Sequence, residues 1–419
     1  MIKKRCDYTV VGGGIIGCAI ARELARRHKD RKIAILEKED ELLHHNSVRN
    51  SAVLHAGIYY KPGGMKALLC SRGNKLMKQF IKENKLWINE GGKLVIPHTK
   101  EESKVLEILY NQGKVNGVNV ELLNKEQIKE IYPRVHFFEG FEKGLYTPDT
   151  AVGDLEEVKH ALVKELKKLD NVEIMLGEEY ADIIQDNKQN RITVRTRRGS
   201  EIESSKMINA GGHGCLDIAQ GLGVALDKEM IYLKGYYLKT DKKKFREGEY
   251  PNCVIYPAPP TSSNIFLGVH TTTNQHYFKL GPTAIPVLSG THYHAFSKLT
   301  LADAARTTGR YVRILFSKNG PMYVNLFASE VMKMLNKKSI LDHARGYYDV
   351  PDNMKASDFH WDSSGIRTQL IKKSDKAFVT DFVFEENSPT QLHLLNFASP
   401  GWTCSFSIAE HVANKYIDK

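Results

Sequence analysis

Between residues 45 and 63 the chain reads HNSVRNSAVLHAGIYYKPG. These nineteen positions hold two histidines, an arginine, two Asn-Ser pairs and a Tyr-Tyr, with neither a helical stripe nor strict alternation. So dense a set of donors and acceptors implies a segment gathered around something polar. An imidazole titrates near neutrality and can take a proton from a substrate hydroxyl when it lies within hydrogen-bond reach. Sixteen histidines are present, and most must be surface or satisfied core residues. Two stand apart as candidate bases: His55, inside this segment, and His270, a polar residue ending the apolar stretch FLGVH. Arg367, in GIRTQL, is the best candidate for gripping a carboxylate, because a planar guanidinium stays charged when buried and can bond both oxygens. Its plain alternative is a surface ion pair with Asp381.

The element that would position this segment precedes it. Residues 7 to 37 read DYTVVGGGIIGCAIARELARRHKDRKIAILE. Tyr8 to Val11 form a short β-branched run, Gly12, Gly14 and Gly17 follow as GxGxxG, and Ile16 to Arg27 carry helical spacing. Lys32 to Leu36 read as a second strand ending in Glu37. In such a unit the first glycine permits the sharp turn, the second lets backbone approach a pyrophosphate, and the third lets helix and strand pack closely. The helix N-terminus offers unpaired N–H groups and a positive dipole end to phosphate. Glu37 can accept from both ribose hydroxyls and would repel the extra phosphate of NADP. The plain alternative is a glycine turn that packs a helix on a sheet and binds nothing. FAD is favoured over NAD because the polar stretch follows the second strand at once, where an NAD domain would continue with regular βα units. The strand KMINA (206 to 210), ending in Gly211-Gly212, fits a return of the chain to the nucleotide domain.

These residues resemble the FAD-dependent D-amino-acid-oxidase/glycerol-3-phosphate-dehydrogenase superfamily and, within it, the L-2-hydroxyglutarate dehydrogenases. The likeness runs nearly end to end. It rests on GGGIIG, on HNSVRNSAVLHAGIYYKPGGMKALLC, on LYTPDTAVGD (145 to 154), on LGVHTTTNQHYFKLGPTAIP (267 to 286), on GIRTQL and on NFASPGWTCSFSIAEHVA (396 to 413). It implies non-covalent FAD, a substrate hydroxyl carbon over the flavin, and electrons passed to a quinone or another acceptor. The chain departs from the family pattern at Val48, Arg49 and Ala52, at Tyr236, and at Gly401-Trp402.

With the resemblance, the expected cofactor contacts are Gly12, Gly14, Ile15, Ile16, Gly17, Glu37, Lys38, Ser47, Asn50, Ser51, Tyr180, Ala210, Gly211, Gly365, Arg367, Ser399, Pro400, Gly401 and Trp402. The loop ASPGWT leads into the last helix, whose N–H groups would face the flavin O2 edge; the plain reading is an ordinary αβ loop with a Pro-Gly turn. A hydride leaving C2 of a 2-hydroxy acid needs a base, His55 or His270, and the substrate carboxylate needs Arg367. A dicarboxylate such as L-2-hydroxyglutarate needs a second anchor, for which Tyr59, Lys234 and Tyr256, or Arg49, are available. The alternatives are a sister flavoprotein oxidising a small amine or glycerol 3-phosphate, and a flavin-binding protein without turnover.

The expected architecture is α/β: a Rossmann-like FAD-binding domain, discontinuous in sequence (1–90, 145–225, 361–419), with a mixed-sheet substrate domain (91–144, 226–360). Asp154 is placed to cap a helix. A 42% hydrophobic, 26% charged chain of 419 residues suits two globular domains. Six scattered cysteines without a CxxC argue against a zinc site or disulfide framework and fit a reducing, cytoplasmic setting. The strand that opens within MIKKRCDYTVVGGG leaves no room for a signal peptide. The +11 net charge suits a small anionic substrate or an acidic membrane surface. Nucleic acid is disfavoured, because no basic run is interleaved with aromatics. Residues 295–337 mix apolar and cationic positions, which reads either as two amphipathic helices capping the substrate domain or as a peripheral membrane face meeting quinone.

Overall fold

Tyr8–Val11 (β1) is buried along its last three residues, and the helix Ile15–Arg27 (α1) returns it to Ile33–Glu37 (β2), its parallel neighbour. The glycine spacing has a steric cause. Gly12 has φ +108°, and a Cβ there would strike the Ala210 carbonyl; a Cβ on Gly17 would strike the carbonyl of Gly12. The structure is a computed structural model, described here for residues 3–141, 143–186, 189–246, 248–259, 268–291, 293, 301–351 and 353–418.

Beyond β2 the chain forms Val53–Leu54 (β3), the helix Met65–Glu83 (α2) and Lys93–Ile96 (β4). Ala151–Gly153 (β5) pairs with β3 and leads into Leu155–Leu166 (α3), where the Asp154 carboxylate accepts the N–H groups of Glu156 and Glu157 as its composition predicts. Val172–Leu176 (β6) and Lys206–Asn209 (β7) follow. The second half supplies Lys228–Asp241 (β8), Val254–Pro257 (β9), His270–Thr273 (β10) and Tyr277–Gly281 (β11). Helices Leu301–Leu315 (α4) and Gly320–Leu335 (α5) come next, then His360–Lys372 (β12), Val383–Ser388 (β13), Gln391–Leu395 (β14) and Gly401–Val412 (α6).

One sheet has the order β6-β2-β1-β7-β14-β13 and is parallel except for its last pair. The carboxyl ends of four parallel strands therefore open on one edge, where the loops after β1, β2, β7 and β14 meet. In open α/β sheets that edge is where ligands bind. The larger sheet runs Ile285–Val287, β8, β11, β10, β9, β4, Lys143–Thr147 and Glu121–Asn124, with β12 laid along β8. A smaller four-stranded sheet, which includes Tyr180–Asp186 and Arg191–Thr196, flanks the first.

Two boundaries differ from expectation. β12 pairs with β8 from Lys228↔Lys372 to Lys239↔His360, so the return to the nucleotide sheet begins near Val383 rather than at 361. Lys143–Thr147 likewise pairs with β4 in the larger sheet, moving the earlier return from 145 to β5. Ladder pairing decides both, and it is a long-range property that local composition does not carry. Strand alternation gives the larger sheet two faces. Leu94 and Ile96 of β4 pack in the core that includes Ile340 and Leu341, whereas Val95 packs in the main core with Val254 and Tyr256.

Candidate active site

The edge where the four loops meet encloses a cavity of about 320 Å³. Of the residues expected at the cofactor, Gly14, Ile15, Ile16, Ser47, Asn50, Ser51, Ala210, Gly365, Arg367, Ser399, Pro400, Gly401 and Trp402 line it, together with His55, His270 and Tyr256. The segment 45–63 wraps the cavity because it is stapled to β12. The Asn46 side chain donates to the Ile366 carbonyl (2.7 Å) and accepts the Ile366 N–H (2.8 Å), while the Gly365 N–H donates to the Arg49 carbonyl (2.5 Å). A side chain at Gly365 would overlap that carbonyl. Asn46 was not among the expected site residues; an asparagine in a polar loop gives no local sign of a partner 320 positions away.

Apart from Arg49, the remaining expected residues lie outside the lining. Gly12 and Gly17 serve the turn itself. Gly211 has its N–H bonded to the Asn209 side chain (3.1 Å). The Glu37 carboxylate accepts the N–H groups of Gly13 (2.7 Å) and Glu39 (2.9 Å), binding the end of β2 to the glycine turn; burial raises its pKa. Lys38 pairs with Glu39 (2.5 Å). Tyr180 begins a strand of the flanking sheet and packs on its core. Lys234 is turned away by strand alternation: Leu233, Gly235 and Tyr237 line the cavity, whereas the Lys234 ammonium donates to the Tyr293 carbonyl (2.5 Å) and covers the Tyr236 ring. Reading β8 with period two from Leu233 leads through Gly235 to Tyr237 on the cavity face. Tyr59 stands behind Tyr256, ring centroids 6.4 Å apart. Arg49 lines the cavity, but its guanidinium is held by the carbonyls of His44 and His45 and stacks on Tyr293.

The two candidate histidines differ in their partners. The His270 ring stacks on Tyr256 (4.0 Å, 10°), with Nε2 3.1 Å from the Tyr256 hydroxyl and Nδ1 3.4 Å from the Gly268 carbonyl. A ring that donates from Nδ1 and accepts at Nε2 has no lone pair left for substrate. Phe266 and Leu267, the first residues of the apolar stretch before His270, lie outside the described residues. His55 is held by its backbone. Its N–H donates to the Thr403 hydroxyl (3.2 Å), and its carbonyl accepts from the Asn74 amide (3.2 Å). Its Nδ1 has no hydrogen-bond partner among the described residues. Burial, and then the nearby Lys93, push both imidazoles down to about 3, so both are neutral at physiological pH. His55 is open to the cavity, not to bulk water, which reconciles its partial exposure with that desolvation. Burial lowers Arg367 to about 10, which leaves it charged, and the nearby Tyr60 favours that charge.

The cavity suits an anionic dinucleotide. α1 begins at Gly14 with no side-chain cap and no acid in its first turn, and α6 begins at Pro400 in the same state. First-turn N–H groups have no partner within the helix, so both helix ends turn backbone donors and positive dipole ends to the cavity. On its open side Gly14 has only the Ser47 hydroxyl within van der Waals reach of a Cβ, and that hydroxyl accepts the Ile15 N–H (2.9 Å). Among the described residues no three His, Cys, Asp or Glu side chains are grouped as metal ligands.

Fold and cavity together define a flavin-dependent redox enzyme. The chain belongs to the FAD dependent oxidoreductase family, whose model matches residues 7–415, and FAD is its cofactor. It is 31% identical over 425 residues to the mitochondrial L-2-hydroxyglutarate dehydrogenase of Dictyostelium discoideum, covering 97% of this chain and 92% of that protein. The corresponding protein of Nematostella vectensis is 32% identical over 434 residues (99% and 91%), and L-2-hydroxyglutarate dehydrogenase of Escherichia coli is 27% identical over 410 residues (98% and 92%). Among solved structures, FAD-bound L-alpha-glycerophosphate oxidase from Mycoplasma pneumoniae superposes with a TM-score of 0.74 at 21% identity, over 99% of this chain and 95% of that one. Glycine oxidase from Geobacillus kaustophilus gives 0.70 at 17%, with the same coverage. These two share the fold.

Proposed function

We propose that the enzyme oxidises L-2-hydroxyglutarate to 2-oxoglutarate. The observation that carries this reading is a neutral imidazole with a free ring nitrogen, His55, on the same cavity as the buried guanidinium Arg367. The relatives' shared name supplies the particular acid. FAD supplies the two-electron acceptor for the hydride that leaves C2. Arg367 holds the carboxylate next to the reacting carbon, and His55 takes the hydroxyl proton at a ring nitrogen. The stacked Tyr256–His270 pair forms a fixed wall and leaves His55 as the base.

The test is anaerobic mixing of the FAD-loaded protein with a panel of acids, amines and glycerol 3-phosphate. L-2-Hydroxyglutarate should bleach the visible flavin band, and its D enantiomer should not. A faster response to an amine or to glycerol 3-phosphate would replace this reading by that of a sister enzyme, and no response to any member by that of a protein without turnover.

We further propose that the electrons leave to a quinone at a membrane surface. No described helix is long and apolar enough to cross a membrane. α4, the turn after it and α5 nevertheless expose Leu301, Phe316, Met332 and Leu335, with Phe316 89% exposed. α5 also carries Glu330 on the cavity wall, so the apolar surface adjoins the site. Apolar side chains on helices of a cationic protein suit a peripheral, anionic surface.

A further inference from the structure

Lys93 is fully buried, yet its ammonium has no hydrogen-bond partner among the described residues. It lies in β4, on the sheet face that carries Val95 toward the main core, next to Val254 of β9 in parallel register. Its Nζ stands 4.4 Å from the centroid of the Tyr59 ring and 5.2 Å from that of Tyr256, whose other surroundings include the cavity. It is also close enough to His55 and His270 to disfavour their protonation. The Tyr59 hydroxyl, too, is buried without a partner among the described residues. Native cores rarely leave polar atoms unpaired, and two such atoms at one ring pair, the Lys93 ammonium and the Tyr59 hydroxyl, call for a ligand that satisfies them together. Burial drives the Lys93 amine down to about 7.

We infer that Lys93, assisted by the Tyr59 hydroxyl, anchors the second carboxylate of the substrate and so selects a dicarboxylate over a monocarboxylate. This rests on the 2-hydroxy-acid reading above. Arg367 on β12 and Lys93 on β4 lie on different strands of the large sheet, with Tyr256 and His270 between them in strand order. Two cations so arranged give the two ends of a dicarboxylate separate anchors, with the reacting carbon beside His55. A monocarboxylate of equal length would leave the ammonium and the phenol unmet, and unmet buried polar groups are what reject an analogue.

The experiment compares L-2-hydroxyglutarate with L-2-hydroxypentanoate as reductants of the enzyme flavin, in wild type and in K93M and K93Q. Wild type should prefer the dicarboxylate in kcat/KM. In both variants that preference should fall about 10- to 100-fold, mainly through KM, as expected for one charged hydrogen bond. An unchanged preference in a variant that retains FAD overturns the inference. A second arm needs no variant: glutarate and pentanoate are titrated against the wild-type flavin spectrum. Glutarate should bind at least tenfold more tightly, and equal binding overturns the inference even if the variants lose FAD. Should L-2-hydroxyglutarate fail to reduce the wild-type flavin, the substrate reading falls and Lys93's role falls with it. Reduction of wild type with an unaltered preference in K93M removes Lys93 alone.

Discussion

Two histidines compete for one proton, and their partners separate them. His270 is committed to Tyr256 and Gly268, whereas His55 lines the cavity with no partner at Nδ1 among the described residues. Replacing His55 by Gln should slow flavin reduction about 10²- to 10⁴-fold, with FAD retained by absorbance, while H270Q should act chiefly on KM. Rapid-mixing reduction traces check this, and equal losses from the two changes would reject the assignment. The pH profile follows from the same burial. A base must be neutral to work, and His55, pushed down to about 3, is neutral far below the ordinary 6.5. The acid limb of kcat/KM should therefore lie well below pH 6.5. The place of His55 and Arg367 on the cavity was legible because imidazole and guanidinium announce their chemistry by type and by motif. Lys93 was not: in GGKLVIP it reads as the polar start of a strand, and only the pairing of β4 with β9 turns it inward.

Elements were legible where capping or glycine chemistry marked them. The βαβ unit, the Asp154-capped helix and the helix pair around 300–335 all formed as their patterns predict. A third helix, Lys337–Arg345, follows them because the Asn336 side chain accepts the Lys338 N–H (3.0 Å), a capping signal that the lysine-rich context concealed. The Tyr236 side chain does not line the cavity, since it shares with Lys234 the other face of β8. α4 and α5 bury Ile314 and Tyr323 against β8 and β12 but leave Leu301, Met332 and Leu335 exposed, with Phe316 just beyond α4, and this gives the quinone proposal its test. F316S combined with L335S should cut cosedimentation with phosphatidylglycerol-containing vesicles severalfold and leave substrate-driven flavin bleaching intact. Undiminished sedimentation would assign those side chains another role.

Across the whole molecule, buried imidazoles set the response to acid. His45, His98 and His393 are driven down to about 4, and His55, His213 and His270 to about 3, each chiefly by burial. An unfolded chain titrates these groups near their ordinary 6.5, so below that pH it binds protons that the folded chain refuses. Stability is then complete above about pH 6.5 and falls as pH drops toward 4, each group contributing up to about 1.4 kcal/mol per pH unit within its window. Glu39, held near 2 by Lys38 and His45 despite its burial, adds the same sign, but only below the ordinary carboxylate range. The upper window therefore belongs to histidine. Melting curves of the FAD-loaded protein from pH 7.5 to 5 should show the midpoint dropping from about pH 6.5 downward, and a flat midpoint would contradict the assignment. His393 offers the control away from the cavity: its Nδ1 accepts from the Asn209 amide (3.0 Å) behind β7 and β14, which fixes a neutral ring. H393Q removes one refused proton, so its melting midpoint should fall less steeply with acid than that of wild type.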